Sequence, residues 1–266
     1  MNRQDQDLWW RDTEIATGQT ICWAIGPFTV WITRTDSEWR VAHEHGSHDD
    51  ELPIEWRVDS RSSQPAETAL VSRYVFGQTM PGLSLKPVLA DRPVVTKPHT
   101  PFYIPSGIDT TIFVSTPLWM RIDVHTPKVF LQELPIVRPS DTWFGSSNLE
   151  GEVCYATKTS ARLGLEEVPR RPHRAITPVM IRNRVSSNLF LERLSIPVPY
   201  LALYTDAQGL LWTEPFTLIR ETETEMAEIR LAEKLPAYVD SPVRLMEPRQ
   251  KPETGMLVRA FSSIFK

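Results

Sequence analysis

Thr20-Ile21-Cys22-Trp23-Ala24-Ile25-Gly26-Pro27-Phe28-Thr29-Val30-Trp31-Ile32-Thr33 is two runs of period two joined by a two-residue break. Ile21, Trp23 and Ile25 alternate with Thr20, Cys22 and Ala24; beyond Gly26-Pro27, Phe28, Val30 and Ile32 alternate with Thr29, Trp31 and Thr33. Successive side chains of an extended chain point to opposite faces, so this pattern predicts a β-hairpin with one face buried. A third strand over 38–43 completes a meander. Strand-like runs recur at 52–58, 69–76 and 83–89, then at 110–115, 118–124, 129–134, 160–165, 175–181, 188–194, 200–204 and 210–219. Short strands with turn residues at this spacing are the mark of sandwiches and barrels.

The 23 prolines, against 11 glycines, must fall at element boundaries, because proline is excluded from helix interiors and central strands. Pro93, Pro98, Pro101 and Pro105 crowd one segment, which reads as a joint between an N-terminal region, 1–92, and a larger one, 93–250. Residues 221–235 mix helix-favouring glutamates with alternation of Ala227, Ile229 and Leu231 against Glu228 and Arg230, and the alternation predicts a strand. At the end of the chain Leu257, Ala260, Phe261, Ile264 and Phe265 fall at helical spacing. They predict a short amphipathic helix within 251–266, too short to be stable without a surface to dock on. The predicted fold is all-β: one or two packed antiparallel β-sandwiches with a C-terminal amphipathic helix.

A chain of 266 residues can bury a substantial core, and two cysteines supply no disulfide framework, so a reducing, cytoplasmic setting is expected. Residues 1–16 lack the basic and apolar regions of a signal peptide, and no apolar run approaches the roughly 18 residues of a membrane span. A net charge of −4 argues against nucleic-acid binding, which needs clustered positive charge. The one basic cluster, Arg170-Arg171-Pro172-His173-Arg174, reads as a solvated loop.

Chemistry-bearing residues concentrate in 138–156, Arg-Pro-Ser-Asp-Thr-Trp-Phe-Gly-Ser-Ser-Asn-Leu-Glu-Gly-Glu-Val-Cys-Tyr-Ala. Asp141, between Ser140 and Thr142, has the composition of a side-chain-capped turn, and Glu152, Cys154 and Ala156 share one face of a following strand, opposite Val153 and Tyr155. On a catalytic reading Asp141 and Glu152 form an acid–base pair, or Cys154 is a nucleophile. On a structural reading Asp141 caps a turn, Trp143 and Phe144 plug the end of a sandwich and Glu152 pairs with an arginine. No histidine lies near Cys154 in sequence, which favours the structural reading. His43-Glu44-His45-Gly46-Ser47-His48-Asp49-Asp50-Glu51 superficially resembles the first metal-binding motif of cupins, but the glycine spacing is wrong and no second motif follows; it reads as a solvated acidic loop, with no metal and no cofactor. Glu192 and Arg193 lie in a strand apolar on both faces, so their charges need partners, expected among Arg162, Arg174, Arg182 and Glu152. Nine tryptophans allow a sugar-binding face, though Trp23, Trp119 and Trp212 lie inside strand runs and read as packing residues.

Thr116-Pro117-Leu118-Trp119-Met120-Arg121, Leu134-Pro135, Pro139-Ser140-Asp141-Thr142-Trp143-Phe144-Gly145, Gly151-Glu152-Val153-Cys154-Tyr155-Ala156, Arg174-Ala175-Ile176-Thr177-Pro178-Val179, Leu191-Glu192-Arg193-Leu194 and Leu211-Trp212-Thr213 together resemble domain-of-unknown-function family 432. The resemblance carries no biochemical activity. It implies a soluble accessory protein of a mechanosensitive-type membrane channel, peripheral at the inner face of the membrane.

The expectation is therefore a non-enzymatic binding or regulatory module. Its candidate binding residues are Ser140, Asp141, Thr142, Trp143, Glu152, Tyr155, Arg162, Arg174 and Glu192; its partner-facing helix carries Leu257, Phe261, Ile264 and Phe265. The alternative is a small-ligand-binding protein or enzyme with a carboxylate and arginine pocket around Asp141, Glu152 and Arg174.

Overall fold

The computed structural model describes residues 8–46, 56–59, 64–98, 100–145, 149–232, 234–253 and 255–262, and it is all-β. In chain order the strands begin with β1 (Asp12–Glu14), β2 (Thr20–Ile25), β3 (Phe28–Arg34), β4 (Glu38–His45), β5 (Trp56–Asp59), β6 (Leu70–Val75) and β7 (Gly82–Val88). There follow β8 (Val94–Pro98), β9 (Phe102–Ile104), β10 (Asp109–Pro117), β11 (Trp119–Val124) and β12 (Val129–Pro135). The remainder are β13 (Ser140–Phe144), β14 (Glu152–Arg162), β15 (Arg174–Asn183), β16 (Leu189–Leu191), β17 (Arg193–Ile196), β18 (Leu203–Thr205), β19 (Leu211–Thr213), β20 (Phe216–Arg220), β21 (Met226–Leu231), β22 (Val243–Met246), β23 (Leu257–Arg259) and β24 (Phe261–Ser262). Two compact units result: Met1–Val88 with Leu118–Arg138, and Leu89–Pro117 with Pro139–Lys266.

The first unit is built around the hairpin read from sequence. β2 and β3 pair with Ile25 opposite Phe28, leaving Gly26 and Pro27 as a two-residue loop. Gly26 has φ 55°. Proline cannot take a positive φ, so of the two hairpin turns that match strand twist only the type II′ turn, with glycine first, fits here. Ile21, Trp23, Ile25, Phe28, Val30 and Ile32 are all buried, as the alternation requires. The five-stranded sheet runs β5-β2-β3-β4-β6, and a second sheet runs β1-β7-β11-β12. Tyr74 of β6 donates its hydroxyl to Gln132 of β12 at 2.9 Å, and a ring nitrogen of His45 lies 2.7 Å from the Pro135 carbonyl, so the two sheets of this unit close on one core.

The second unit holds a 13-stranded sheet whose main path is β22-β18-β19-β15-β10-β14-β8-β17-β24, together with the small β16-β9 pair. It is mixed rather than purely antiparallel: β14 pairs β8, and β15 pairs β19 and β20, in parallel. β15 is buried on nearly every residue, as a strand covered on both faces must be, although Arg174, Thr177, Arg182 and Asn183 are polar. Pro93 precedes β8, Pro98 ends it, and Pro101 and Pro105 flank β9, but the boundary rule fails elsewhere: Pro178 stands in the middle of β15 opposite Phe113, and Pro87 lies inside β7 opposite Met120.

Several expectations are corrected. The C-terminal helix does not form over the described residues: Leu257–Arg259 pairs with β21 and Phe261–Ser262 pairs with β17, while Ile264 and Phe265 lie outside the described residues. Sheet edges open to main-chain pairing offer this segment more than a three-turn helix holds alone. Ser140–Phe144 is a strand, with Asp141 opposite Tyr155, rather than a capped turn. The basic cluster 170–174 is not a solvated loop throughout, since His173 and Arg174 are buried.

Candidate functional site

β13 and β14 form a hairpin in which Thr142 faces Cys154, Trp143 faces Val153 and Phe144 faces Glu152. One face turns inward: Phe144 and Cys154 are fully buried and pack with Val95. The Arg193 guanidinium lies 5.2 Å from the centre of the Phe144 ring. Trp143, 42% exposed, lies on the opposite face and packs over Gly151, where a Cβ would stand 2.5 Å from its indole. Only glycine admits that approach.

On the same outer face Arg92 reaches Asp141 at 3.3 Å and lies 5.4 Å from the centre of the Tyr155 ring. The Tyr155 hydroxyl donates to Asp91 at 3.0 Å, and Ser140 donates to the Ala156 carbonyl at 3.3 Å. Burial, then the hydrogen bond to Asp91, pushes the Tyr155 phenol up.

At the loop end of the hairpin's inner face lies a cleft of about 380 Å³, lined by residues 91–93, 151, 152, 195, 197, 199, 200, 226, 250 and 256–259. Such a volume falls in the range of ordinary ligand sites. Glu152 is half-buried in its wall, and burial pushes its carboxyl up, against the pull of Arg259. It makes no hydrogen bond or ion pair among the described residues. Both arginines of the cleft are engaged, Arg92 with Asp141 and Arg259 with Glu225 at 2.7 Å. Tyr200 closes the same wall, its phenol pushed up by burial and by the charge of Glu152.

Of the nine candidate binding residues, Glu152 alone lines this cleft. Asp141, Trp143 and Tyr155 are on the outer face of the hairpin, where their registers place them together. Arg162 ends β14 opposite Phe113, and Arg174, buried, donates to the Ser115 carbonyl at 3.0 Å. Arg182 is engaged with Asp109 at 3.4 Å, and Glu192 sits at the break between β16 and β17. Leu257 is exposed on the cleft rim, whereas Phe261 is buried.

Cys154 does not have the setting of a nucleophile. Burial and the nearby Glu152 push its thiol up to about 12, so the thiolate is suppressed at neutral pH. His43 and His45 extend from β4, and burial pushes His43 down; among the described residues no cluster of three ligands able to hold a metal exists. His48 and Glu51 lie outside the described residues. Trp23 and Trp212 are core residues, not a sugar platform. Among the described residues no helix is long and apolar enough to cross a membrane.

Sequence reasoning missed Tyr200, Arg92 and Arg259 at the cleft. The strand-like run read over 200–204 begins only at Leu203; Val198–Tyr200 is instead a 3-10 turn that presents the tyrosine, and the two prolines Pro197 and Pro199 are the signal for it that the strand reading passes over.

Glu152 predicts its own pH signature. With a folded pKa raised above its ordinary 4.5, the carboxyl holds its proton longer in the folded than in the unfolded chain. Stability from this group is therefore greatest below the unfolded pKa and is lost as pH rises through the folded one. Arg259, Tyr200 and Cys154 couple to it, and Asp91 lines the same cleft, so the comparison of parent with variant, rather than the parent profile alone, isolates Glu152. Glu152→Gln is expected to stabilise the second unit at neutral pH by about 1 kcal/mol, held low by partial solvent access, and to flatten the fall in stability from acid to neutral pH. Urea unfolding at both ends of that range checks it; a variant less stable than the parent at neutral pH contradicts the assignment.

A family described as "Protein of unknown function (DUF432)" has a model that matches residues 9–266. No match to a curated protein was found, nor to a solved structure.

Proposed function

We propose, for a chain that belongs to the DUF432 family, a non-enzymatic binding module whose recognition site is the cleft beside the β13–β14 hairpin. The observation that carries this reading is Glu152: a half-buried carboxyl in a cleft of about 380 Å³, without a partner among the described residues. A half-buried carboxyl that opens into a cleft without an ion-pair partner favours a ligand that brings one, because a charge-assisted hydrogen bond there is stronger than one made in open solvent. The groups that a catalytic reading needs are dispersed, Asp141 outside the cleft and Cys154 sealed in the core, which supports binding over chemistry. The partner we assign, from the family resemblance, is a membrane channel of the mechanosensitive type, with the module at its cytoplasmic side.

The test is capture with the tagged full-length chain from gently solubilised native membranes, beside Leu257→Arg. Leu257 is 59% exposed on the cleft rim, so its replacement obstructs the cleft without opening the core. An integral membrane protein of that channel type recovered with the parent chain, and at least tenfold depleted with the variant, supports the reading. Equal recovery of the channel with both chains overturns the cleft as the recognition site, and no channel with either overturns the partner.

A further inference from the structure

Resting on the cleft as recognition site, we infer that its occupant presents a cationic group, a guanidinium or primary ammonium, that pairs with Glu152. The charges around the cleft are unequal. Asp91, Glu152 and the outer Asp141 and Glu225 supply four carboxylates, against the guanidiniums of Arg92 and Arg259. Each arginine already has a carboxylate, Arg92 at 3.3 Å and Arg259 at 2.7 Å. Asp91 accepts the Tyr155 hydroxyl at 3.0 Å. Glu152 is left as the carboxylate in the wall with no hydrogen-bonding or ion-pairing partner among the described residues.

An anionic occupant meets the wrong sign at that point, and a purely apolar one leaves the carboxyl buried and unsatisfied. A guanidinium satisfies both its oxygens in bidentate geometry. The walls suit its stem: Pro197 and Pro199 on one segment, Met226 and Met256 on others, form a rigid and an adaptable apolar surface. Tyr200 adds an aromatic ring in the same wall, a surface that attracts cations. The cation can come from a free small molecule or from an arginine or lysine of a protein; the chemistry at Glu152 is the same.

Calorimetric titration of the full-length chain decides it. The probes are N-acetyl-arginine amide and its uncharged isostere N-acetyl-citrulline amide, with agmatine and an arginine-containing peptide to separate the sources. Expected is binding of the arginine probe at least tenfold tighter than the citrulline probe, a preference lost in Glu152→Gln, reduced in Tyr200→Leu, and kept in Glu247→Gln, whose carboxylate pairs with Arg244 away from the cleft. Agmatine binding as tightly as the peptide supports a free cation; peptide binding alone supports a protein-borne one. Equal affinity for arginine and citrulline probes, or an unchanged preference in Glu152→Gln, overturns the cation even where Leu257→Arg abolishes membrane capture, which leaves the cleft reading standing. A cation preference without membrane capture supports the cation and removes only the channel partner.

Discussion

Removal of residues 255–266 is expected to unfold much of the second unit rather than to detach a recognition helix. Leu257–Arg259 is paired with β21, and Phe261–Ser262 with β17, so the last described segment stitches two strands of the large sheet. Ile229 donates to the Met256 carbonyl at 3.0 Å, Ser195 to that of Ala260 at 2.9 Å, and the amides of Ala260 and Phe261 both donate to the Glu225 carbonyl. Val258, Ala260 and Phe261 are buried. Burying two such side chains as Val258 and Phe261 contributes roughly 1.5–3 kcal/mol each, and each hydrogen bond about 1 kcal/mol. The loss is several kcal/mol against the roughly 5–15 kcal/mol that holds a domain. Hydrogen exchange reads it directly: the amides of Ser195 and Ile229 lose their protection in the truncated chain. A truncated chain with both amides protected and its melting point within about 2 °C of the parent contradicts the pairing. For the same reason truncation is a poor probe of recognition, and single exposed residues such as Leu257 are the better one.

The β2–β3 hairpin was legible in the sequence because its information is local. Period-two alternation fixes which face is buried, and a two-residue glycine-proline loop fixes the register, with no knowledge of the rest of the chain. The same held for β21, where alternation of Ala227 and Ile229 with Glu228 and Arg230 outweighed helix-favouring glutamates, and burial of Ala227 and Ile229 follows it. The C-terminal segment shows where local pattern stops deciding. Leu257, Ala260 and Phe261 have helical spacing, yet Val258 and Ala260 are also a period-two pair, and the edges of β21 and β17 select the second pattern. Asp141 fails in a similar way: Ser-Asp-Thr composition favours turns, but eleven-residue β14 provides a pairing strand, and the reversal falls beyond Phe144 instead. The cleft was visible only through Glu152, whose alternate position with Cys154 put it on the inner face. Its other walls come from chain segments near residues 92, 200, 226 and 256, and no spacing rule links them.

Phe144→Ala is expected to carry the largest effect of any single substitution near the cleft, and it joins core to site. Phe144 is fully buried, packs with Val95 and Cys154 and lies under the Arg193 guanidinium. Truncating a buried phenylalanine to alanine costs roughly 3–5 kcal/mol, because the cavity adds to the lost transfer energy. Neighbouring side chains have little freedom to close it, since Cys154 is held on β14 and Val95 on β8, two strands paired in parallel. Phe144 also stands directly opposite Glu152, so the register that presents the carboxyl to the cleft depends on the same anchor. Two measurements should therefore move together: urea unfolding of the second unit falls by roughly 3–5 kcal/mol, and affinity for the arginine probe falls at least tenfold under conditions where the variant is still folded. Phe144→Leu, which retains most of the volume, should cost about 1 kcal/mol and keep most of the affinity. If Phe144→Ala loses stability but binds the probe as the parent does, the cleft is held by β8 and β17 rather than by the hairpin. If neither stability nor affinity changes, the inward face of β13 is wrongly assigned, and with it the position of Glu152.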